Sequence, residues 1–372
     1  MFFLRKVFQQ KYVPDLSIFI LTLILLLIGT VMIYSASYVW ADFTYNDAYY
    51  FVKRQLFFVS LGCLLLGTIV FIPYQFWRKY SLTILIICFI LLTIVLIPGV
   101  GIIRGGARSW IGVGAFSIQP AEFMKLGIII YLAAILSHKQ MKITSFFKGF
   151  LPLTLLIFFV FGLIMLQPDF GTGLVIVITC MLILFIAGAK LSHLFSLMIV
   201  GLIGFAFLII SAPYRLKRIT AFLNPWEDPL GDGFQMIQSL YAIGPGGLIG
   251  SGLGNSLQKY FYLPEPQTDF IFSIIAEEVG FIGATVVLIL FLLICWRGIV
   301  IALQTTDRFA AHLAFGITGM LLIQVAINIS VVIGLIPVTG ITLPFISYGG
   351  SSLLLNLGAI GILLNISKYT TY

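Results

Sequence analysis

Long apolar segments alternate with short polar ones along this chain, and that pattern restricts which folds it can adopt. Ten segments approach or exceed the roughly 20 apolar residues that a helix needs to cross a bilayer. They cover residues 16–36, 55–72, 80–98, 119–137, 149–166, 171–188, 193–211, 270–296, 309–334 and 346–366. Because an open sheet cannot satisfy its backbone hydrogen bonds in lipid, the pattern predicts an all-α polytopic membrane protein with a bundle of about ten transmembrane helices.

The composition agrees with one membrane-embedded domain over residues 1–372. Only 9% of the residues are charged, against about 25% in soluble domains. Two segments between spans are long enough to carry function, 98–118 and 212–268, and both leave the membrane on the same side. The first span is expected to remain as an anchor, since it is too long for a cleaved signal peptide.

The distribution of Lys and Arg predicts the orientation. If both termini lie on one side, that side collects 12 basic residues near the spans and the other side 8. The positive-inside tendency then places both termini in the cytoplasm and the two long loops outside the cell membrane. The net charge of +8 is explained by topology and by contact with anionic lipid, so no nucleic-acid partner is predicted.

The cysteines and histidines do not indicate a metal site or a disulfide. The 4 cysteines all lie within predicted spans, without paired spacing. The 3 histidines lie near predicted cytoplasmic helix ends, far apart in sequence. We therefore expect small apolar packing residues and no protein metal centre.

The segment LPEPQTDFIFSIIAEEVG, residues 263–280, contains the most informative carboxylates. A helix is predicted to begin at Asp269 and to carry Glu277 and Glu278 about 12 Å deeper. Carboxylates within a span are costly and usually face a bundle interior or a wet cavity. The spacing predicts a polar site entered from one face of the membrane, although Asp269 can also cap the helix.

Glycine-rich stretches dominate both long loops. GIIRGGARSWIGVG in the first loop suggests a flexible backbone that approaches a ligand, with Arg108 and Trp110 as substrate contacts or Trp110 as an interfacial anchor. In the second loop, residues 233–243 have helical spacing. They precede GPGGLIGSGLG, which is a hinge, a phosphate-binding nest or a plain flexible loop.

Three cations follow a span exit on the outer side, against the positive-inside tendency. Arg215, Lys217 and Arg218 would suit a pyrophosphate, which Arg engages bidentately. Contact with ordinary anionic lipid is the alternative.

Two further polar motifs lie at predicted helix starts. In QPAEFMKLG, Glu122 and Lys125 are three residues apart on one helix face and can form an ion pair, as an alternative to a chemical role. In QPDFGTG, Asp169 is expected to cap the following helix.

Taken in order, these motifs resemble the SEDS family (shape, elongation, division and sporulation), typified by RodA, FtsW and SpoVE. The segments that carry the resemblance are RSWIGVGAFSIQPAEFMKLG, QPDFGTG, the stretch from GFQMIQSLYAIG to AEEVG, and NISVVIGLIPVTGITLPFISYGGSS. The motifs NPWEDP and FYLPEPQTDFIF are closest to the FtsW and SpoVE branch.

The resemblance implies a peptidoglycan glycosyltransferase. Such enzymes polymerise lipid II at the outer face of the cytoplasmic membrane, invert the anomeric carbon and release undecaprenyl pyrophosphate. They work with a class B penicillin-binding protein. The family's catalytic aspartate corresponds to Asp269 and its functional tryptophan to Trp110, and Glu122 and Lys125 correspond to sensitive positions.

Chemistry leaves some alternatives open. Asp269 can act as the general base for the attacking hydroxyl, but a helix N-terminus weakens a carboxylate as a base, and a role in holding Mg²⁺ or Mn²⁺ is the alternative. Intramembrane carboxylates also suit a lipid II flippase, and a noncatalytic scaffold of the division or sporulation machinery is a third possibility.

Overall fold

The computed structural model describes residues 13–104, 106–113, 116–138, 143–210, 220–231 and 233–370. Its helices are α1 (Leu16–Tyr45), α2 (Tyr50–Phe71), α3 (Tyr74–Lys79), α4 (Ser81–Ile94), α5 (Pro120–Leu136), α6 (Leu151–Met165), α7 (Phe170–Ile186), α8 (Leu191–Ile210), α9 (Phe234–Ile243), α10 (Ile271–Gln304), α11 (Arg308–Val332) and α12 (Gly350–Ser367). Each of the ten predicted spans contains one of these helices. A π-helical turn, Phe146–Phe150, leads into α6.

Among the described residues, six helices are long and apolar enough to cross a membrane: α1, α2, α6 with its preceding turn, α10, α11 and α12. Helices α4 and α7 and the first part of α8 are apolar but shorter. The prediction of a multi-pass membrane protein is therefore confirmed. α11 and α12 are the most enclosed of the long helices, so the centre of the bundle lies around them.

Both ends of the described chain lie at the same end of the bundle. The Asp15 backbone N–H donates to Ser367 Oγ at 2.9 Å, which joins the start of α1 to the end of α12. Asp15 also caps α1 by accepting from Ile18 N at 3.2 Å and forms an ion pair with Arg297 of α10. The opposite end of the bundle therefore holds the starts of α10 and α12.

The first long loop is an ordered sheet. Its strands β1 (Ile102–Arg104), β2 (Ala107–Val113) and β3 (Phe116–Ile118) form an antiparallel meander. Trp110 on β2 is the register partner of Ile102 on β1. Among the described glycines of this loop, Gly112 lies within β2 and pairs with Ser117 of β3. Regular strand pairing thus extends into a stretch whose glycines suggested an irregular, flexible backbone.

Helix α10 is broken within its length. Gly280 has φ 70° and ψ −169°, a conformation that only glycine adopts readily. The break leaves helical N–H and C=O groups without their usual partners, which is costly in lipid. Backbone bonds with residues 247–252 replace them: Phe281 and Ile282 donate to Gly247 and Leu248, while Ser251 and Gly252 donate to Glu277 and Glu278.

This pairing assigns the second glycine-rich segment a structural task. Gly246 and Gly250 approach the α10 backbone so closely that a Cβ on either would collide with it. The N–H groups of Ser251 and Gly252 are already used by α10 carbonyls. The segment thus supplies the backbone hydrogen bonds that α10 lacks at its break. The hypothesis of a phosphate-binding nest does not hold for the N–H groups of Ser251 and Gly252.

A buried coil connects α11 to α12. Residues 333–349 contain no helix, yet Leu343, Phe345 and Ile346 are almost fully buried. Non-helical backbone is tolerated at membrane depth where protein surrounds it. Helix α1 passes so close that a Cβ on Gly29 would lie 2.6 Å from Ile346 Cα. The coil therefore fills the centre of the bundle at the end opposite the termini.

Candidate active site

Asp269 stands at the end of the bundle opposite the termini. It precedes Phe270, the N-cap residue of α10, and Phe270 itself makes no side-chain cap bond. The Asp269 side chain is half-buried and accepts from Thr268 Oγ1 at 2.9 Å. The helix does not begin at Asp269, as the sequence suggested, but two residues later.

A buried amide holds the main chain of Asp269. Asn328 Nδ2 donates to Asp269 O and to Ile341 O, both at 2.7 Å. Because Asn328 lies on α11 and Ile341 in the buried coil, one side chain joins three segments. A second bond, from Tyr348 N to Gln267 O at 2.8 Å, ties the coil to the same loop. The backbone around Asp269 is therefore held from two sides, and the residue is partly exposed.

Glu122 and Lys125 form the ion pair that their spacing predicted. Lys125 Nζ lies 2.8 Å from Glu122 Oε2, with side-chain exposures of 2% and 7%. Lys125 Nζ also donates to Gln324 Oε1 at 3.3 Å, and Gln324 lies one helical turn before Asn328 on α11. Burial at this level means that losing one partner would leave an uncompensated charge. The pair thus lies in the same polar layer as Asn328.

The sheet and two helix starts are joined in this region. Gln119, just before α5, donates through Nε2 to Asp169 Oδ2 at 2.6 Å. Its backbone N–H donates to Ser351 Oγ of α12 at 3.2 Å. Asp169 accepts from Thr172 N at 3.1 Å, so its predicted capping role is confirmed. These bonds place the exit of β3 directly beside the polar layer.

Trp110 and Arg108 lie on β2, which contacts α5. Both side chains are half-buried. The methylene groups of Arg108 lie over Gly101, where an added Cβ would be 2.7 Å from Arg108 Cγ. The structure thus puts both residues on the strand next to the helix of Glu122 and Lys125, and their role in binding substrate stays a prediction.

Glu277 and Glu278 bind residues of the loop that follows the glycine-rich segment, and they do not face an open site. Glu277 accepts from Ser256 Oγ at 2.5 Å and Leu257 N at 2.7 Å. Glu278 accepts from Ser35 Oγ of α1 at 2.6 Å and pairs with the fully buried Lys259 at 3.4 Å. Of the two environments that the sequence allowed, these carboxylates occupy the protein interior. They do not face a polar site entered from one side of the membrane, because the loop that follows the glycine-rich segment covers them.

The basic cluster Arg215, Lys217 and Arg218 lies outside the residues that the structure describes. Among the described residues, a cavity of about 340 Å³ lies between α9 and the loop before Asp269, where Phe222, Gln235, Pro264 and Val338 contribute to its lining. Its size is at the lower end of ordinary ligand sites, about 300–1,000 Å³. The described end of the bundle therefore offers room for a group of sugar size close to the Asp269 loop.

In the part of the chain that the structure describes, no three His, Cys, Asp or Glu side chains gather closely enough to hold a metal ion. All four cysteines are free thiols. A single carboxylate such as Asp269 fits Mg²⁺ only where substrate phosphates and water complete the coordination. Among the described residues, Asp269 is therefore the candidate to share a cation with substrate phosphates.

Sequence reasoning missed Gln324, Asn328 and Lys259. The signal for the first two was present: two amides four residues apart on one face of an apolar span, a spacing that places both side chains on the same interior surface. Lys259 was counted as a loop cation, whereas it is fully buried against Glu278. Its burial depends on a loop path that local sequence does not specify.

Comparison with known proteins gives consistent matches over the whole described chain. The family model for FtsW, RodA and SpoVE, described as "Cell cycle protein", matches residues 15–372. Stage V sporulation protein E of Bacillus subtilis (strain 168) is 59% identical over 363 residues, which cover 98% of this chain and 99% of that protein. The probable peptidoglycan glycosyltransferase FtsW of Geobacter metallireducens is 44% identical, with 95% and 94% covered.

Solved structures share the fold. A chain of a peptidoglycan synthase complex, reported for its coordination of polymerization and crosslinking, superimposes with a TM-score of 0.77 at 32% identity, and the match covers 95% of this chain and 97% of that chain. The rod shape determining protein RodA of Thermus thermophilus gives a TM-score of 0.71 at 29% identity, covering 95% and 96%.

Proposed function

The chain belongs to the cell cycle protein family of FtsW, RodA and SpoVE, and from this premise we propose that it is a peptidoglycan glycosyltransferase that uses Asp269 as its general base. The family membership confirms the resemblance seen in the motifs, including the nearness to the SpoVE and FtsW branch. Among its relatives, FtsW proteins are named probable peptidoglycan glycosyltransferases. One observation supports the mechanism above the others: a partly exposed aspartate whose main-chain carbonyl is bonded to the buried Asn328.

The reaction joins the 4-hydroxyl of one lipid II sugar to the anomeric carbon of another chain. Asp269 accepts the hydroxyl proton as the oxygen attacks. The bond from the anomeric carbon to the pyrophosphate oxygen breaks with inversion, and undecaprenyl pyrophosphate leaves with the bonding electrons. Arg215, Lys217 and Arg218 are proposed to balance the negative charge that builds on the leaving pyrophosphate.

The substrate is placed at the outer face of the membrane. With both termini in the cytoplasm, as the positive-inside count favours, Asp269 lies at the extracytoplasmic end, because Asp15 and Ser367 occupy the other one. Arg297 lies 17 positions after Gly280, a rise of about 25 Å along the helix, which is close to the thickness of the hydrocarbon core. Asp269 then lies beyond the core, at the depth of lipid headgroups.

The alternative role for Asp269 is to bind a divalent cation. Asp269 would hold such an ion, Mg²⁺ or Mn²⁺, which would supply positive charge for the leaving pyrophosphate. The base is the preferred role, since among the described residues no three metal-binding side chains gather at one place. A class B penicillin-binding protein is the proposed partner, by analogy with the neighbour from a synthase complex that coordinates polymerization and crosslinking.

The observations count against a lipid II flippase. A transport path needs polar groups that a moving headgroup can reach. Glu277 and Glu278 are instead 3% and 1% exposed and bonded to loop and α1 donors. A noncatalytic scaffold would leave Asp269 replaceable, which is the outcome that the following experiment tests.

The test is Asp269→Asn in purified protein supplied with lipid II. Asparagine keeps the size and an acceptor for Thr268 but cannot take the proton, so polymerisation should fall by at least roughly 10²-fold. Glu265→Gln, a change at an exposed carboxylate in the same loop, is the matched control and should polymerise normally. Near-parental glycan synthesis by the Asn variant would show that the assignment is wrong, and rescue by raised Mg²⁺ would favour the cation role.

A further inference from the structure

Two buried amides on α11 connect parts of the site that come from distant parts of the sequence. Gln324 and Asn328 are both 1% exposed and lie one turn apart, so their side chains share a face. Gln324 Nε2 donates to Thr342 O at 3.3 Å, and Asn328 Nδ2 donates to Ile341 O at 2.7 Å. The two amides therefore bond successive carbonyls of the buried coil.

Each amide has a second bond that leads away from the coil. Gln324 Oε1 accepts from Lys125 Nζ at 3.3 Å, and Lys125 pairs with Glu122. Asn328 uses its remaining N–H for Asp269 O. Because an amide NH₂ group has only two hydrogens, both donors of Asn328 are committed to main-chain carbonyls. One helical turn of α11 thus spans the distance from the Glu122–Lys125 pair to the Asp269 backbone.

This arrangement matters because the Asn328 bond ties the Asp269 main chain to α11. Asp269 comes before α10 and after a long excursion, and its carbonyl accepts from this buried side chain. Loss of the Asn328 amide would remove this bond and the bond to Ile341 O and would let the loop shift relative to α11 and the buried coil. Misplacement of a reacting group by about 1 Å can cost roughly 10²-fold in rate.

We propose that Asn328 and Gln324 are positioning residues, which hold the Asp269 main chain in register with the Glu122–Lys125 pair through α11. The inference rests on the proposed role of Asp269 as the base and assigns the two amides no contact with substrate. Asn328 acts directly on the Asp269 carbonyl, whereas Gln324 acts through Lys125 and the coil. Substitution of Asn328 should therefore lower turnover more than substitution of Gln324.

The experiment compares Asn328→Leu with Asn365→Leu. Asn365 is a matched control: it is equally buried, at 2%, and donates through Nδ2 to a main-chain carbonyl, Val70 O, at 2.8 Å. It lies near the end of α12, at the termini end of the bundle. Both variants should lose thermal stability, and Asn328→Leu, which loses two hydrogen bonds, should lose at least as much as Asn365→Leu, which loses one. Only Asn328→Leu should lose turnover, with kcat down roughly 10²-fold and KM for lipid II within about twofold, because binding groups are untouched.

Equal losses of kcat in the two variants, or a change confined to KM, would overturn the proposal. If Asn328→Leu does not fold, Asn328→Gln keeps the amide but displaces its donors by one methylene, and it should also lower kcat with KM retained. Asp269→Asn in the same assay separates the two claims. An active Asp269→Asn protein refutes the base, whereas an inactive one beside a fully active Asn328→Gln protein refutes the positioning alone.

Discussion

The break in α10 allows a direct test of the fold, through Gly280→Ala. Gly280 has φ 70°, and an alanine there would be strained by about 1–3 kcal/mol. Its Cβ would also lie 2.7 Å from Ile249 N and C, and closer still to Gly250 N. Because these are main-chain atoms, residues 249 and 250 would have to move.

Movement of residues 249 and 250 would lower the stability of the protein further. Four backbone hydrogen bonds connect residues 247–252 to α10 at the break, and each polar group left buried without a partner costs about 1–3 kcal/mol. We expect Gly280→Ala to lose at least about 3 kcal/mol in total. Thermal unfolding of the purified protein in detergent, followed by intrinsic fluorescence, would measure this as a lower Tm.

Two control variants separate the causes. Gly188 has φ 96° with no atom within 4 Å of an added Cβ, so Gly188→Ala reports the backbone strain alone. Gly67 lies inside α2 with open space around it, so Gly67→Ala should leave Tm unchanged or raise it, since alanine favours a helix by about 0.5–1 kcal/mol. The reasoning is refuted if Gly280→Ala unfolds at the same temperature as Gly188→Ala.

The remaining predictions concern charges. At the buried pair, Glu122→Gln or Lys125→Met alone should cost about 3–5 kcal/mol, and the double variant should recover much of that stability yet polymerise poorly; full recovery of activity would exclude a binding or catalytic role. Replacing Arg215, Lys217 and Arg218 together by Gln should weaken lipid II binding and lower turnover, and unchanged affinity would assign the cluster to ordinary lipid headgroups.

The helical bundle was predictable because bilayer thickness fixes the length of each span. The Glu122–Lys125 pair and the Asp169 cap were predictable for a similar reason, since both depend on spacing within one helix. Asp269 was found through its motif.

The contacts between segments were not predictable. The bond from Asn328 to Asp269 spans 59 residues, and the bond from Ser35 to Glu278 spans 243. No local pattern encodes such pairings, because each depends on how the whole bundle closes. The structure of the glycine-rich segments could not be predicted for the same reason. Glycine content indicates a flexible backbone in isolation, but it does not show that Gly112 will pair with a strand or that Gly250 will pack against the break in α10.

The pairing of residues 247–252 with the break in α10 also sets an order of assembly. Residues 247–252 are synthesised before any residue of α10. During synthesis, this segment therefore exists before the α10 backbone to which it will be hydrogen-bonded. The lower part of α10, from Phe281 onward, can insert as an ordinary apolar helix. On the N-terminal side of the break, the carbonyls of Glu277 and Glu278 accept from Ser251 N and Gly252 N, and these bonds form only after both segments have been made. The four backbone bonds that satisfy the break in α10 therefore cannot form until the chain has been made past Ile282.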